Sequence, residues 1–279
     1  MPYRTILVCL TNPERVPGIL DVAVPIAVAN DAHLVGLYVV PQVEIYSAVA
    51  VQITTEMLEA HRQYHLERAA EIESLFEKRL DREDVGREWR TVDAPGSMIS
   101  DTAVQHALSA DLVIVGQADP ENDPQDATDL QERLLMNTGR PVLFVPYAGS
   151  FPSVGKNVLI AWNATKEAAR AAFDAIPLMS NAEKIGILSV NVSDEGERAI
   201  PPGGELAVAL SRHGLRSEAS QSFPQDISAG DELLSRAADF GADLLVMGGY
   251  GHSRLREIVF GGVTRHVLRH MTVPVLMSH

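Results

Sequence analysis

The stretch "GADLLVMGGYGHSRLREIVFGGVTRHVLRHMTVPVLMSH", Gly241–His279, decides the fold. It opens with "ADLLVM", a short continuous apolar run of the kind a strand shows when both its faces are buried. Its centre holds Gly248, Gly249, Gly251, Gly261 and Gly262. Glycine is kept where the chain turns sharply or where something approaches the backbone closely. Beyond the glycines, "VTRHVLRH" reads as a helix and "VPVLMSH" as a last strand. Strand, glycine loop, helix start and strand together form the end of an α/β unit, with the loop shaped around a bound group.

The same succession occurs earlier in the chain. "SADLVIVGQ" (109–117) matches "GADLLVMGG" (241–249), and "RPVLFVP" (140–146) matches "VPVLMSH" (273–279). Further out, "RTILVCL" (4–10) matches "KNVLIAW" (156–162), and each leads into a helical pattern with a late proline, Pro25 or Pro177. "AHLVGLYVV" (32–40) matches "EKIGILSVN" (183–191). Similarity kept in this order marks a duplicated unit. The first copy is the longer, and its surplus lies in "TTEMLEAHRQYHLERAAEIESLFEKRL" (54–80). There Leu66, Ala69, Ile72, Phe76 and Leu80 share one helix face. The matching helix, near "GELAVALSRHG", is short and stops at Gly214.

Each copy therefore reads as strands alternating with helices, which predicts an α/β fold: two tandem, doubly wound domains, each a parallel sheet flanked by helices. The boundary falls in "PYAGSFPSVGK" (146–156), giving domains 1–150 and 151–279; a single continuous sheet is the alternative. The two last strands read as sheet edges, which tend to pair.

Composition narrows the function. The 279 residues are 46% hydrophobic and carry a formal net charge of -14, so there is no basic face for a nucleic acid. A small anion in a locally basic pocket is still allowed. Between His252 and His270 stand Arg254, Arg256, Arg265 and Arg269, with Glu257 the only acid. The single cysteine, Cys9, excludes an intrachain disulfide, fits a reducing compartment and reads as a small buried hydrophobe. The N-terminal apolar run is too short for a signal peptide, and no run reaches the ~20 residues of a membrane helix. The expectation is a soluble, cytoplasmic protein with no membrane partner.

Two familiar phosphate loops fail. No lysine follows the glycines as a P-loop requires, and a G-x-G-x-x-G reading ends on Arg254. The spacing Gly248-x2-Gly251-x9-Gly261, with its flanks, instead resembles the universal stress protein family. The resemblance covers both halves by layout, and the C-terminal half by motif. It implies a five-stranded parallel sheet in each domain, of the adenine nucleotide alpha hydrolase-like kind. It also implies ATP or ADP, with or without Mg, in the C-terminal domain.

Carried over residue by residue, the resemblance puts Gly248, Gly251 and Gly261 around the phosphates; Met247, directly before them, is a further candidate binding residue, and the local charge adds Arg254 as a candidate phosphate contact. Gly262 stands where the family has Ser or Thr, so a hydroxyl is lost and a backbone N–H kept. Val263 and Thr264 match the next positions. After Ala161 and Trp162, Asn163 stands where the family has Asp; it hydrogen-bonds without charge and is a poorer Mg ligand. Val190 matches the adenine contact or is plain core, and Trp162 stacks on the base or packs. The first half has lost the motif. Acids crowd Asp119–Asp129, and Thr11 takes the Asp position, so no nucleotide is expected there. The family's dimer contact resembles the last strands, so a tandem chain would pair its two domains internally, with a homodimer as a further step.

No catalytic signature or metal-spaced cluster occurs. His61 and His65 lie one turn apart without a third ligand, and His252 and His266 lack a visible orienting carboxylate. No catalytic or metal-binding residue is therefore expected. Three readings follow: a nucleotide-binding stress-response or signalling module, an interaction protein of the same fold without nucleotide, and a slow ATP-hydrolysing enzyme.

Overall fold

In the computed structural model, which describes residues 2–42, 54–94, 98–119, 126–190, 202–250 and 262–279, the matched apolar runs become strands. The chain divides into two units, Pro2–Thr138 and Gly139–His279. In the first, β1 (Thr5–Cys9), β2 (His33–Val40), β3 (Arg87–Asp93) and β4 (Leu112–Gly116) run parallel in the order β3-β2-β1-β4. Its helices are α1 (Val16–Asn30), α2 (Thr55–Leu80), α3 (Ile99–Ala107) and α4 (Asp126–Asn137).

The second unit holds β5 (Val142–Val145), β6 (Asn157–Ala161), β7 (Lys184–Val190), β8 (Glu218–Ser222), β9 (Leu244–Gly248) and β10 (Val275–Ser278). Their order is β5-β10-β9-β6-β7-β8, parallel throughout except that β5 is antiparallel to β10, with Leu143 opposite Leu276. The helices are α5 (Lys166–Asp174), α6 (Gly204–Ser211), α7 (Ala229–Phe240) and α8 (Val263–His270). The α/β reading thus holds, with a parallel-dominated sheet and flanking helices in each unit. The strand that ends the first copy, β5, lies in the second unit.

The repeated "AD" before β4 and β9 has a shared physical role. Asp111 accepts the backbone N–H groups of Arg4 and Thr5 at 2.8 and 3.0 Å, pinning the start of β1. Asp243 accepts those of Gly155, Lys156 and Asn157 at 3.0, 3.1 and 2.9 Å, and the Ser153 hydroxyl at 2.8 Å, pinning the start of β6. Each carboxylate satisfies donors that a strand beginning at the sheet's end would leave unpaired.

The copies differ where their residues differ. α1 runs through Pro25 to Asn30, whereas α5 stops at Asp174 and Pro177 falls in a separate 3-10 turn, Ile176–Met179. On α2, Ala69, Ile72, Phe76 and Leu80 are buried as their spacing predicts, while Leu66 is half-buried. α6 ends as expected: Gly214 has φ +80, and the Leu215 N–H returns to the Leu210 carbonyl at 3.1 Å. That left-handed step is the one glycine takes without strain.

Cys9 is 4% exposed in β1, and burial pushes its thiol up to about 12. The thiolate is the reactive form, so native protein is expected to resist a thiol reagent at neutral pH. Denatured protein is expected to react at one thiol per chain, matching its single cysteine. Rapid labelling of the folded chain would contradict this burial.

Candidate functional site

In an open α/β sheet, ligands bind beyond the carboxyl ends of the strands where strand order reverses. In the second unit the reversal lies between β6 and β9. Register sets Val158 beside Leu244 and Ile160 beside Val246, which brings Ala161 level with Met247. On the other side Ala161 pairs with Leu188, and the Trp162 N–H continues the ladder to the Leu188 carbonyl at 2.8 Å. The ends of β7, β6 and β9 therefore bring Val190, Ala161–Asn163 and Met247–Gly248 to one rim.

The predicted residues take different parts there. Ala161, Trp162 and Val190 are half-buried at the rim, and Met247 is 4% exposed, a core residue beneath it. Asn163 is exposed, but its side chain is engaged: Oδ1 accepts the Thr165 N–H at 3.3 Å and the Thr165 hydroxyl at 2.9 Å. Gly248 has a structural reason to be glycine. A Cβ there would meet the Ala168 nitrogen at 2.5 Å and the Glu167 carbonyl carbon at 2.7 Å, so the first turn of α5 lies directly on it. Gly251, Arg254 and Gly261 lie outside the described residues, as do His252 and Arg256.

Two helix N-termini converge at this rim, and they differ in occupancy. α5 is already satisfied. Thr165 accepts the Ala168 N–H at 3.3 Å, and Glu167, 3% exposed, supplies a carboxylate in the first turn. Burial alone would push Glu167 up. A hydrogen bond from its own N–H, with Lys166 and Thr165, outweighs that and holds its carboxyl below the ordinary value. α8 begins at Gly262 with no side-chain cap and no acid in its first turn. Its position is fixed by Thr264, 9% exposed, whose hydroxyl accepts the Tyr250 N–H at 3.2 Å and ties α8 to the chain leaving β9. Gly262, Val263 and Thr264 thus present a helix N-terminus, with its unpaired N–H groups and partial positive charge, beside the switch point. Arg265 and Arg269 are exposed on the same helix.

The corresponding place in the first unit is furnished with side chains. The Gln131 amide of α4, 3% exposed, donates to the Gly116 carbonyl at 2.8 Å at the end of β4. Arg15 donates to the neighbouring Gln117 carbonyl at 3.1 Å. Gln131 holds the position in its copy that Thr264 holds in the other, and both bond the backbone leaving the fourth strand of the copy.

The histidines need one correction. His266 does have a carboxylate partner: Nε2 lies 2.9 Å from Asp231 Oδ1, on α7. Asp231 is remote in sequence, so the pairing gave no local signal. His65 has its Nδ1 at 2.9 Å from the Tyr38 hydroxyl, and burial, followed by the charges of His61 and Arg68, lowers its pKa. Among the described residues, no group of three His, Cys, Asp or Glu side chains could hold a metal, and no helix is long and apolar enough to cross a membrane.

Comparison with known proteins agrees with this layout. The Universal stress protein family matches residues 2–146 and 156–279. Universal stress protein Slr1230 of Synechocystis is 28% identical over 146 residues, 52% of this chain and 49% of that protein. Universal stress protein MJ0577 of Methanocaldococcus jannaschii is 38% identical over 47 residues, 17% of this chain and 29% of that protein. The match thus spans about half the length of the first relative and under a third of the second. A solved universal stress protein from Archaeoglobus fulgidus superimposes with a TM-score of 0.74 at 14% identity, covering 98% of this chain and 94% of its own. At that identity the likeness concerns the fold alone.

Proposed function

Because the chain belongs to the universal stress protein family, in two tandem copies, we propose that its C-terminal copy binds an adenine nucleotide, ATP or ADP, and serves as a cytoplasmic stress-response or signalling module. The observation that carries the reading is the α8 N-terminus, uncapped and free of acids, held against the end of β9 at the switch point. Phosphate oxygens are strong acceptors for such N–H donors. The half-buried Trp162 and Val190 offer apolar surface for the base. The first copy serves as scaffold, since Gln131 and Arg15 take up the backbone acceptors at its equivalent strand end. The β5–β10 ladder supports internal pairing of the two copies through their last strands.

The test is calorimetry and thermal shift with ATP and with ADP. Wild-type protein is expected to bind both. Gly261→Asp is expected to bind at least about tenfold more weakly, because it sets a carboxylate beside the phosphates. Silence of the wild type at millimolar nucleotide would favour the reading as an interaction protein. Equal affinity in the variant would move the site elsewhere. For hydrolysis, the product formed on long incubation with Mg-ATP is decisive. Asn163 brings no charge and is tied to Thr165, so binding without appreciable turnover is expected.

A further inference from the structure

In both copies an aspartate at the third residue of one helix meets a cation on the next. Asp101 of α3 meets Arg133 of α4 at 2.9 Å, and Asp231 of α7 meets His266 of α8 at 2.9 Å. Arg133 and His266 are equivalent positions. Each is followed directly by a buried apolar pair, Leu134–Leu135 or Val267–Leu268, and each stands eight residues before the proline of the last strand, Pro141 or Pro274. Arginine is charged at every physiological pH, whereas histidine changes charge between about pH 5 and 8. One helix-to-helix contact is therefore permanent in the scaffold copy and proton-dependent in the copy that carries the candidate site.

Building on the nucleotide-binding reading above, we propose that Asp231 and His266 form a proton-operated latch. Protonation of His266 draws the start of α8 onto α7 and tightens the nucleotide site that α8 presents. Both act as positioning residues, through the placement of α8.

Three observations carry the latch. The buried Nε2 makes no well-directed hydrogen bond, so its 2.9 Å approach to Asp231 is a charge contact that gains most when the ring is protonated. The ring also has room made for it. Gly230 precedes Asp231, and a Cβ there would come within 2.7 Å of His266 Cδ2, while Ser100 fills the equivalent position in α3. Finally, His266 lies two residues beyond Thr264, and its N–H closes the first turn of α8 on the Gly262 carbonyl at 2.7 Å.

Among the described residues, α7 and α8 supply the charged surroundings. From α7 come Asp231, whose Oδ2 accepts the Ser228 hydroxyl at 2.6 Å, and Glu232, which is turned to Ser222 and Arg236. From α8 come Arg265, Arg269 and His270, whose ring lies 4.4 Å from that of His266. The Ser228 hydroxyl above all holds Asp231 below its ordinary value, which favours its charged form. The sign follows: the latch is closed at mildly acid pH and loosens as pH rises.

The test compares wild type, His266→Gln and His266→Arg by calorimetry with ADP at pH 5.5 and 8.0. The phosphate titrates in the same window, so the variants are compared at each pH. Wild type is expected to bind about threefold more tightly than His266→Gln at pH 5.5, with the two converging at pH 8.0. His266→Arg, which copies the scaffold pair, is expected to keep the tight form at both. Parallel profiles in all three proteins would overturn the coupling. Hydrogen exchange of the α8 amides, without nucleotide, tests the latch itself. At pH 8.0, His266→Arg is expected to be better protected than wild type, and equal protection would overturn the latch. Failure of the wild type to bind ADP at either pH would instead count against the nucleotide reading, with the exchange result still deciding the latch.

Discussion

Replacing Gly248 with alanine is expected to destabilise the second unit by about 2 kcal/mol, with no nucleotide present. The added Cβ would lie 2.5 Å from the Ala168 nitrogen, 2.7 Å from the Glu167 carbonyl carbon and 2.9 Å from Glu167 Cβ. The first two are backbone atoms of the opening turn of α5, and no rotamer change moves them aside. α5 must lift off the sheet, which also disturbs the Thr165 cap and the buried Glu167 carboxylate. In a unit of this size such a loss lowers the melting temperature by roughly 4–8 °C. Gly262→Ala is the contrasting variant. Gly262 is exposed, and its φ of -120 is outside the left-handed region that calls for glycine, so stability is expected to hold while nucleotide affinity falls. A Gly248→Ala protein as stable as wild type would mean that α5 does not rest on β9 as described.

That contrast shows how much of the molecule could be read in the chain itself. The strands were legible because a parallel strand covered on both faces is a continuous apolar run, and the copies reinforced one another. The sequence also directs attention to the strand ends, since a glycine cluster follows the fourth strand of the second copy. Individual roles were less so. A glycine that admits a phosphate and a glycine that admits a helix are the same letter, and Gly248 does the second whatever it does for a ligand. The pairing of Asp231 with His266 spans the whole of β9 and the glycine loop, so no local spacing betrays it. Gln131 and Thr264 share a position and a backbone-bonding role without sharing a chemical class. Their spacing to Pro141 and Pro274 makes them equivalent, but the shared bonding role appears only in the contacts to Gly116 and Tyr250.

Asp243→Ala is expected to cost about 3 kcal/mol, the largest loss for any exchange considered for this protein. Its carboxylate accepts three consecutive backbone N–H groups, Gly155, Lys156 and Asn157, and the Ser153 hydroxyl, all between 2.8 and 3.1 Å. Alanine leaves those donors without an acceptor at the start of β6, a central strand between β9 and β7. Water reaches part of this region and replaces some of the bonds, which keeps the cost below the sum of the separate contacts. Asp111, its counterpart, accepts only two N–H groups, from Arg4 and Thr5. Asp111→Ala is therefore expected to cost about half as much, roughly 1.5 kcal/mol. The two tryptophans allow the units to be followed separately. In a Trp89→Phe background, Trp162 alone reports on the second unit during urea unfolding, and the reverse substitution isolates the first. The midpoint should fall for Trp162 with Asp243→Ala and for Trp89 with Asp111→Ala, the first fall being the larger. Equal small shifts would mean that the carboxylates are merely solvated at the sheet's end, and that the shared "AD" reflects common descent without a shared mechanical task.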